Sequence, residues 1–451
     1  MSLDKDSPNK YRSAIDSNRR KFIKLTSMGA LSAGLLGVSS FTRVEGKALE
    51  TKARIVIVGA GAAGISLANR LAKATSGAEI IIIDERERHL YQPGLTLVAT
   101  GVWNTNSVLD SNSRYIPSGV KWLKNSVVQF DPDNNRVQTD DNSWIQYDYL
   151  LVATGLELNF SAIEGMDPSL IGTRGIGCVY DNPEHASRTW QQMESFLEEG
   201  GVGIFTRAPG AIKCAGAPLK VAMLFEHNLR QRNVRDRFDL QYTAPAVGLF
   251  SQPDINEFLK GHFPQRGINV NWNHRLTGIE ADTKRATFAT ANGSQTFDYD
   301  FIHVVPPMQA PRPIRESSLA WGSGPFANGG WLEVDQYTMQ HRRYANVFGA
   351  GDCVGTPIGK TAASVKAQVP VVVHNLLRVM DGRNAEANYN GYTSCPLITE
   401  RGEAMLVEFD YDLKMIPSFG FINPMKAQWV PWIMKDKMLR GAYNAMLRGR
   451  V

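Results

Sequence analysis

The sequence predicts an α/β fold with two Rossmann-like dinucleotide-binding domains, the first split in the chain, plus a C-terminal amphipathic membrane-docking region. Three observations predict it. A strand, glycine loop and helix open at residue 54. Two later strands end in the small-residue turns Ala153-Thr154-Gly155 and Gly351-Asp352. A second strand–loop–helix unit near residue 201 lacks the glycines of the first.

The first unit carries the most information. Arg54 to Val58 is a short apolar run, followed at once by Gly59-Ala60-Gly61-Ala62-Ala63-Gly64 and an apolar-periodic helix through Leu71. A second strand, Ile80 to Ile83, ends in Asp84 and Glu85. A lone GxGxxG is weak, but strand, loop, helix and an acidic residue about twenty positions on make the dinucleotide fingerprint. Gly59 permits the tight turn, Gly61 lets backbone approach a pyrophosphate at the helix N-terminus, and Gly64 lets helix and strand pack closely. Asp84, then Glu85, is the candidate for the ribose hydroxyls.

The strand Tyr149–Val152 runs into Ala153-Thr154-Gly155, and Tyr344–Phe348 runs into Gly349-Ala350-Gly351-Asp352. Both patterns resemble those of flavoproteins with two dinucleotide domains, in which the Asp holds the ribityl chain. FAD is therefore the expected cofactor. Its expected contacts are Gly59, Gly61, Ala62, Ala63, Gly64, Asp84, Glu85, Val127, Ala153, Thr154, Gly155, Gly351, Asp352, Lys360 and Thr361. The FAD domain is expected over 52–160 and 311–384, with a second Rossmann-like domain over 161–310 carrying Cys178 and Cys214.

In that second domain the strand Gly201–Thr206 leads into Arg207-Ala208-Pro209-Gly210-Ala211-Ile212-Lys213-Cys214-Ala215-Gly216-Ala217-Pro218. A cysteine-bearing loop stands where an NAD(P)H-binding domain would carry its phosphate cradle. NAD(P)H is disfavoured as the electron donor, and a donor that reacts with a cysteine is favoured.

The bulk numbers agree with a large globular chain: 451 residues, 43% hydrophobic, 21% charged, net charge +5. No basic run interleaved with aromatics crosses the middle, so no nucleic-acid partner is expected. The four cysteines, Cys178, Cys214, Cys353 and Cys395, are too few and scattered for a disulfide framework, and no spacing suggests a metal. At the N-terminus, Arg19-Arg20-Lys21-Phe22 precedes a weakly apolar run from Leu25 to Phe41. This resembles a twin-arginine export signal over 1–47, with export to the periplasmic face of a membrane.

From about residue 52 to its end, the chain resembles the sulfide:quinone oxidoreductases, particularly the branch with the mitochondrial enzyme. The resemblance rests on Arg88-His89-Leu90-Tyr91-Gln92-Pro93, Lys213-Cys214-Ala215-Gly216-Ala217-Pro218, Gly351-Asp352-Cys353, Lys360-Thr361-Ala362-Ala363 and Gly391-Tyr392-Thr393-Ser394-Cys395-Pro396-Leu397. It implies a redox pair of Cys214 and Cys353 beside the flavin. Hydrosulfide would attack at Cys353, leaving a persulfide there. The Cys214 thiolate would pass two electrons to FAD and on to a membrane quinone. Sulfide, sulfite or a small thiol would accept the sulfur. Lys213 is the neighbour expected to favour the Cys214 thiolate. Lys360-Thr361 opens a helix whose N-terminus is expected to face the flavin's pyrimidine end.

Cys178 lies in a segment similar to that where some bacterial members carry a third cysteine near the flavin, so it is a further catalytic candidate beside the core-cysteine reading. Cys395 has no evident partner and is expected to be structural. In the tail over 385–451, Trp429, Ile433, Leu439, Tyr443 and Leu447 follow near-helical spacing among Lys435, Lys437, Arg440 and Arg448. This suits a membrane interface and, by resemblance, a quinone entrance. Homo-oligomerisation is left open. The competing readings are the flavoprotein subunit of a flavocytochrome c sulfide dehydrogenase, an NADH:quinone oxidoreductase and a non-catalytic FAD-binding scaffold.

Overall fold

The computed structural model describes residues 48–451. The expected export signal lies outside the described residues. In chain order, the elements that position the site are β1 (Arg54–Val58), α1 (Ala62–Ala74), β2 (Glu79–Ile83), β3 (Lys121–Leu123) and β4 (Tyr149–Val152). Next come β5 (Ile176–Gly177), α2 (Pro183–Glu199), β6 (Gly201–Thr206), α3 (Ala217–Gln231), β7 (Phe238–Ala244), β8 (Ile268–Trp272) and β9 (Phe301–His303). The last are β10 (Val347–Gly349), α4 (Ala362–Met380), β11 (Thr393–Glu400), β12 (Glu403–Phe409), α5 (Trp429–Ile433) and α6 (Leu439–Leu447).

Two parallel sheets organise the molecule. The first runs β10–β4–β1–β2–β3 and the second β5–β9–β6–β7–β8. Ile55-Val56-Ile57-Val58 and Ile80–Ile83 are β-branched and buried, as strands covered on both faces require. The registers Val58↔Ile83, Val152↔Val58 and Val152↔Gly349 bring the strand ends level. The loops starting at Gly59, Asp84, Ala153 and Ala350 therefore share one edge, where open α/β sheets bind ligands. β10 comes from beyond the second sheet in sequence yet completes the first.

β11 and β12 form an antiparallel hairpin with Cys395↔Val407, Ser394↔Glu408 and Pro396↔Leu406 as partners. Because strand side chains alternate, the hairpin has two different faces. Cys395, Leu397, Met405 and Val407 join the main core, whereas Leu406 joins a cluster with Phe419, Ile422, Val430 and Met434.

The C-terminal segment packs on the fold through part of its apolar stripe: Tyr443 and Leu447 are buried, and Trp429, Ile433 and Leu439 half-buried. Trp432 packs with Leu97, Leu224, Ile398 and Ala404. Tyr443, Met446 and Leu447 join the main core, and Ser66 Oγ donates to the Met446 carbonyl at 3.1 Å. Lys435, expected among lipid-facing cations, is buried. An apolar helix face buries itself on whatever apolar surface lies in reach, and here the hairpin and α1 supply it. The large apolar side chains that stay exposed in this segment are Phe421 and Met425, ahead of α5. No helix among the described residues is long and apolar enough to cross a membrane.

Candidate active site

A cavity of about 790 Å³ opens at the C-terminal edge of the first sheet. Its walls include Ala60 to Ala63, Ala153 to Gly155, Gly351, Asp352 and Lys360 to Ala363. The loop geometry fits a dinucleotide. Gly59 sits at φ +105°, where an added Cβ would lie 2.4 Å from the Ala153 carbonyl oxygen. On Gly64 it would lie 1.7 Å from the Gly59 oxygen. On Gly61 it would meet nothing within 4 Å, so the backbone there borders open space. Gly61 caps α1 with no side-chain hydrogen bond, leaving the first N–H groups of the helix to an anion. At the other end of the cavity wall, Thr361 caps α4 and its Oγ1 accepts from Ser364 N–H at 3.1 Å.

Several expected cofactor contacts have other roles. Asp84 Oδ2 accepts from Ala60 N–H at 2.6 Å and from the Arg86 guanidinium at 2.6 Å, while Oδ1 takes Arg86 N–H and Nε at 2.9 Å. Burial works to raise its pKa, but the hydrogen bonds and charge of Arg86, with the Ala60 N–H, hold the carboxylate below the ordinary range. Asp84 thus braces the glycine loop. Glu85 is exposed and off the cavity wall, whereas Glu87, two positions on, borders it. Val127 starts an outlying strand, paired with Thr139, away from the cavity wall. Lys360 donates through Nζ to the carbonyls of Asp352 at 2.6 Å and Val354 at 2.9 Å, with the ammonium 3.6 Å from the Trp331 ring centroid. Burial lowers its pKa to about 8. The lysine therefore ties the Asp352 loop to the start of α4. Asp352 remains on the cavity wall, where burial raises its carboxyl pKa.

The cysteines pair differently from expectation. Cys353 has no exposed surface, and its thiol donates to the carbonyls of Val152 at 3.4 Å and Ala350 at 3.5 Å. Burial raises it to about 11. It faces into the first sheet because β10 and the turn after it carry its side chain inward, under the loop rather than into the cavity. Cys178 is equally buried, off the cavity wall, with its backbone N–H held by Thr189 Oγ1 at 2.9 Å. Burial pushes its thiol up to about 12. Neither thiol borders the cavity.

Cys214 meets Cys395 instead. The two sulfurs share a hydrogen bond, and both residues line the cavity. The register of β11 aims Cys395 at the start of α3; a Cβ on Gly216 would lie 2.6 Å from its Sγ. Cys214 sits at φ +46°, a left-handed conformation uncommon for a residue with a Cβ. It is held there by its N–H to the Lys360 carbonyl at 2.9 Å, with its own carbonyl accepting from Ala217 N–H at 2.7 Å and Tyr180 Oη at 3.1 Å. The hydrogen bond from Cys395 draws the Cys214 pKa well down; burial opposes it, and the Lys220 and Lys435 ammoniums assist. Cys395 moves the opposite way, raised by the same hydrogen bond and by burial. All four thiols are free.

The lysine expected beside Cys214 is also replaced. Lys213 turns to Gln92, donating to Oε1 at 2.9 Å. Lys220, in the first turn of α3, donates through Nζ to Cys214 Sγ at 3.5 Å. Lys435 lies in a π-helical turn, Met434–Met438, between α5 and α6 and also donates to the Pro93 carbonyl. Burial, then the like charge of Lys220, bring it down to about 7. The Arg88–Pro93 motif has its own purpose. His89 Nε2 lies 2.8 Å from Tyr443 Oη and Nδ1 lies 2.7 Å from Asn112 Oδ1, while the Tyr91 and Tyr443 rings meet edge-on at 4.9 Å. It anchors α6, and with it Lys435, over the cavity. Sequence reasoning missed Cys395, Lys220 and Lys435. The signal available was the Thr393–Leu397 motif, whose cysteine lacked a reason to be there.

Residues 53–200 match the family model "Pyridine nucleotide-disulphide oxidoreductase". The mitochondrial sulfide:quinone oxidoreductase of Dictyostelium discoideum is 37% identical over 94% of this chain and 91% of its own length. That of Mus musculus is 33% identical over 88% and 86%. The sulfide:quinone oxidoreductase structure from Aquifex aeolicus shares the fold, with a TM-score of 0.73 and 19% identity, covering 88% of this chain and 92% of that one. The Dictyostelium and mouse relatives are mitochondrial enzymes, which overturns the expectation of twin-arginine export to a periplasm. The protein is an FAD-dependent oxidoreductase. Taken together with its cavity, these likenesses over nearly the whole length decide the matter: the chain belongs to the sulfide:quinone oxidoreductase family.

Proposed function

We propose that the chain oxidises sulfide at the Cys214–Cys395 pair and delivers the two electrons through FAD to a quinone. The observation that carries this reading is the contact of the two sulfurs beside Lys220 and Lys435, in the same cavity as the dinucleotide loop. With the pair as a disulfide, hydrosulfide attacks Cys395 Sγ. The S–S bond breaks, Cys395 keeps the new sulfur as a persulfide, and Cys214 leaves as a thiolate. The direction follows from leaving-group chemistry, because the thiol of lower pKa leaves faster. Lys220 and Lys435 hold the negative charge on Cys214 as it forms. A second nucleophile takes the outer sulfur, leaving the Cys395 thiolate. FAD, when bound, accepts two electrons as the two thiolates return to the disulfide. Gly59, Gly61 and Gly64 with the start of α1 would hold its pyrophosphate, and Asp352 and the N-terminus of α4 its flavin half.

Two variants distinguish this pairing from the Cys214–Cys353 pairing. Cys395→Ser should bind FAD and fail to bleach on anaerobic mixing with sulfide. Cys353→Ser should bleach at close to the unmodified rate, since a serine hydroxyl can keep the carbonyl hydrogen bonds. The reverse pattern sinks the proposal.

A further inference from the structure

The face of the hairpin opposite Cys395 carries a second chemical group. Glu408 pairs with Ser394 across the hairpin, so period-two alternation sends it away from the cysteines. It is 3% exposed. Three donors converge on its carboxyl group: Tyr392 Oη at 2.6 Å and Ser418 Oγ at 2.6 Å on Oε1, and Ser418 N–H at 2.8 Å on Oε2. Lys366, in the second turn of α4, lies within its electrostatic reach. Glu408, Tyr392, Ser418 and Lys366 all border the cavity. The link to the flavin end is short, because Thr361 Oγ1, capping α4, lies 3.0 Å from Thr393 Oγ1 next to Tyr392.

The surroundings of this carboxyl are apolar. Leu406, Phe419 and Met434 line the same part of the cavity. Phe421 packs edge-on against Phe419 at 5.6 Å and is 52% exposed, so an apolar lip continues to the surface. A buried carboxyl held by three hydrogen bonds, at the end of an apolar entry, suits an apolar molecule with a polar head that gains protons.

We propose that Glu408 is the proton donor to the quinone, with Tyr392 and Ser418 as its positioning residues. This rests on the reading of a quinone as electron acceptor. Reduction of a quinone to a quinol takes two electrons and two protons. FAD, when bound and reduced, would supply both electrons and one of the protons. The second proton is taken up from solvent by Glu408 through the Ser418 hydroxyl and handed on to the acceptor oxygen, which restores the carboxylate with its three hydrogen bonds. The hairpin thus separates two half-reactions, with sulfur chemistry on the Cys395 face and proton delivery on the Glu408 face.

The test uses the full-length holoenzyme reduced with dithionite, so that sulfide plays no part. Reoxidation is followed by stopped flow with decylubiquinone and, separately, with ferricenium, which takes electrons but no protons. In Glu408→Gln, reoxidation by the quinone should slow about tenfold or more. Reoxidation by ferricenium should not change, and Glu408→Asp should recover part of the quinone rate. Tyr392→Phe provides a second variant should Glu408→Gln fail to fold, with a smaller slowing confined to the quinone. An unchanged quinone rate, or equal slowing with both acceptors, overturns the proposal. Failure of the unmodified reduced enzyme to react with decylubiquinone defeats the underlying quinone reading instead, and is seen without any variant.

Discussion

At the scale of single residues, the site depends on close approach. Gly216 has ordinary backbone angles (φ −80°, ψ −6°), so its role is not conformational. It leaves room for Cys395, whose Sγ occupies the place of a side chain there. Gly216→Ala should therefore push the two sulfurs apart without disturbing the helix start. Sulfide-driven flavin bleaching should fall by about tenfold or more, since small misplacements of reacting atoms have large kinetic effects. FAD content and its absorbance should stay unchanged. Rapid mixing of the variant with sulfide checks this, and an unaltered rate would show that the contact has slack. Cys353 makes the contrasting point. Adjacency to Asp352 in sequence put it near the flavin loop but said nothing of which way its side chain turns, and the strand end turns it inward.

At the scale of elements, α3, the hairpin and the π-helical turn each bring one part of the sulfur site. Lys220 comes from α3, Cys395 from β11 and Lys435 from the π turn. A π turn shifts the side chains after it relative to a regular helix, and such turns are frequent at functional sites. Both ammoniums lower the Cys214 pKa, after the Cys395 hydrogen bond. Lys220→Met should therefore raise it. The sign is set by the charge: removing a nearby cation disfavours the thiolate, so the reactive form appears only at higher pH. The check is the pH dependence of alkylation in the reduced protein, monitored at Cys214 by peptide mass spectrometry. The Lys220→Met curve should lie at higher pH, and coincident curves would remove the lysine from the account.

At the scale of the whole molecule, α3 must stay fixed against the hairpin for the two cysteines to meet. A charged network does this at their far ends. Arg230 bonds Glu226 at 2.7 Å and Glu400 at 2.9 Å, and Arg266 bonds Glu226 at 3.0 Å and Glu400 at 2.9 Å. His227 approaches Glu400 at 3.6 Å. His227 first, then Arg266, bring the Glu400 pKa down to about 2 against its burial. A carboxylate depressed on folding contributes stability above its unfolded pKa, near 4.3, and loses it as pH falls through the folded value. Glu400→Gln should accordingly lower the apparent melting temperature at pH 7. Its deficit against the unmodified protein should shrink between about pH 4.3 and pH 2. Thermal scans across that range measure it, and a deficit independent of pH would assign the loss to packing.

Through its motifs the sequence carried the resemblance that implied FAD and the family, and by itself it determined the Rossmann units and the dinucleotide loop. Each depends on local chemistry: glycines with no Cβ to clash, β-branched runs that form buried strands, and a helix start that leaves N–H groups free. It also marked the loop with Cys214, because a missing phosphate cradle is visible as missing glycines. Tertiary structure decided what Cys214 meets. Its partner lies 181 positions away, on a strand whose facing is set by register with Val407. The same packing turned an amphipathic tail, legible only as apolar and basic, into a wall that buries Lys435 beside that pair. Periodicity tells which residues share a face. Only the fold tells what that face is pressed against, because burial depends on surfaces contributed by distant parts of the chain.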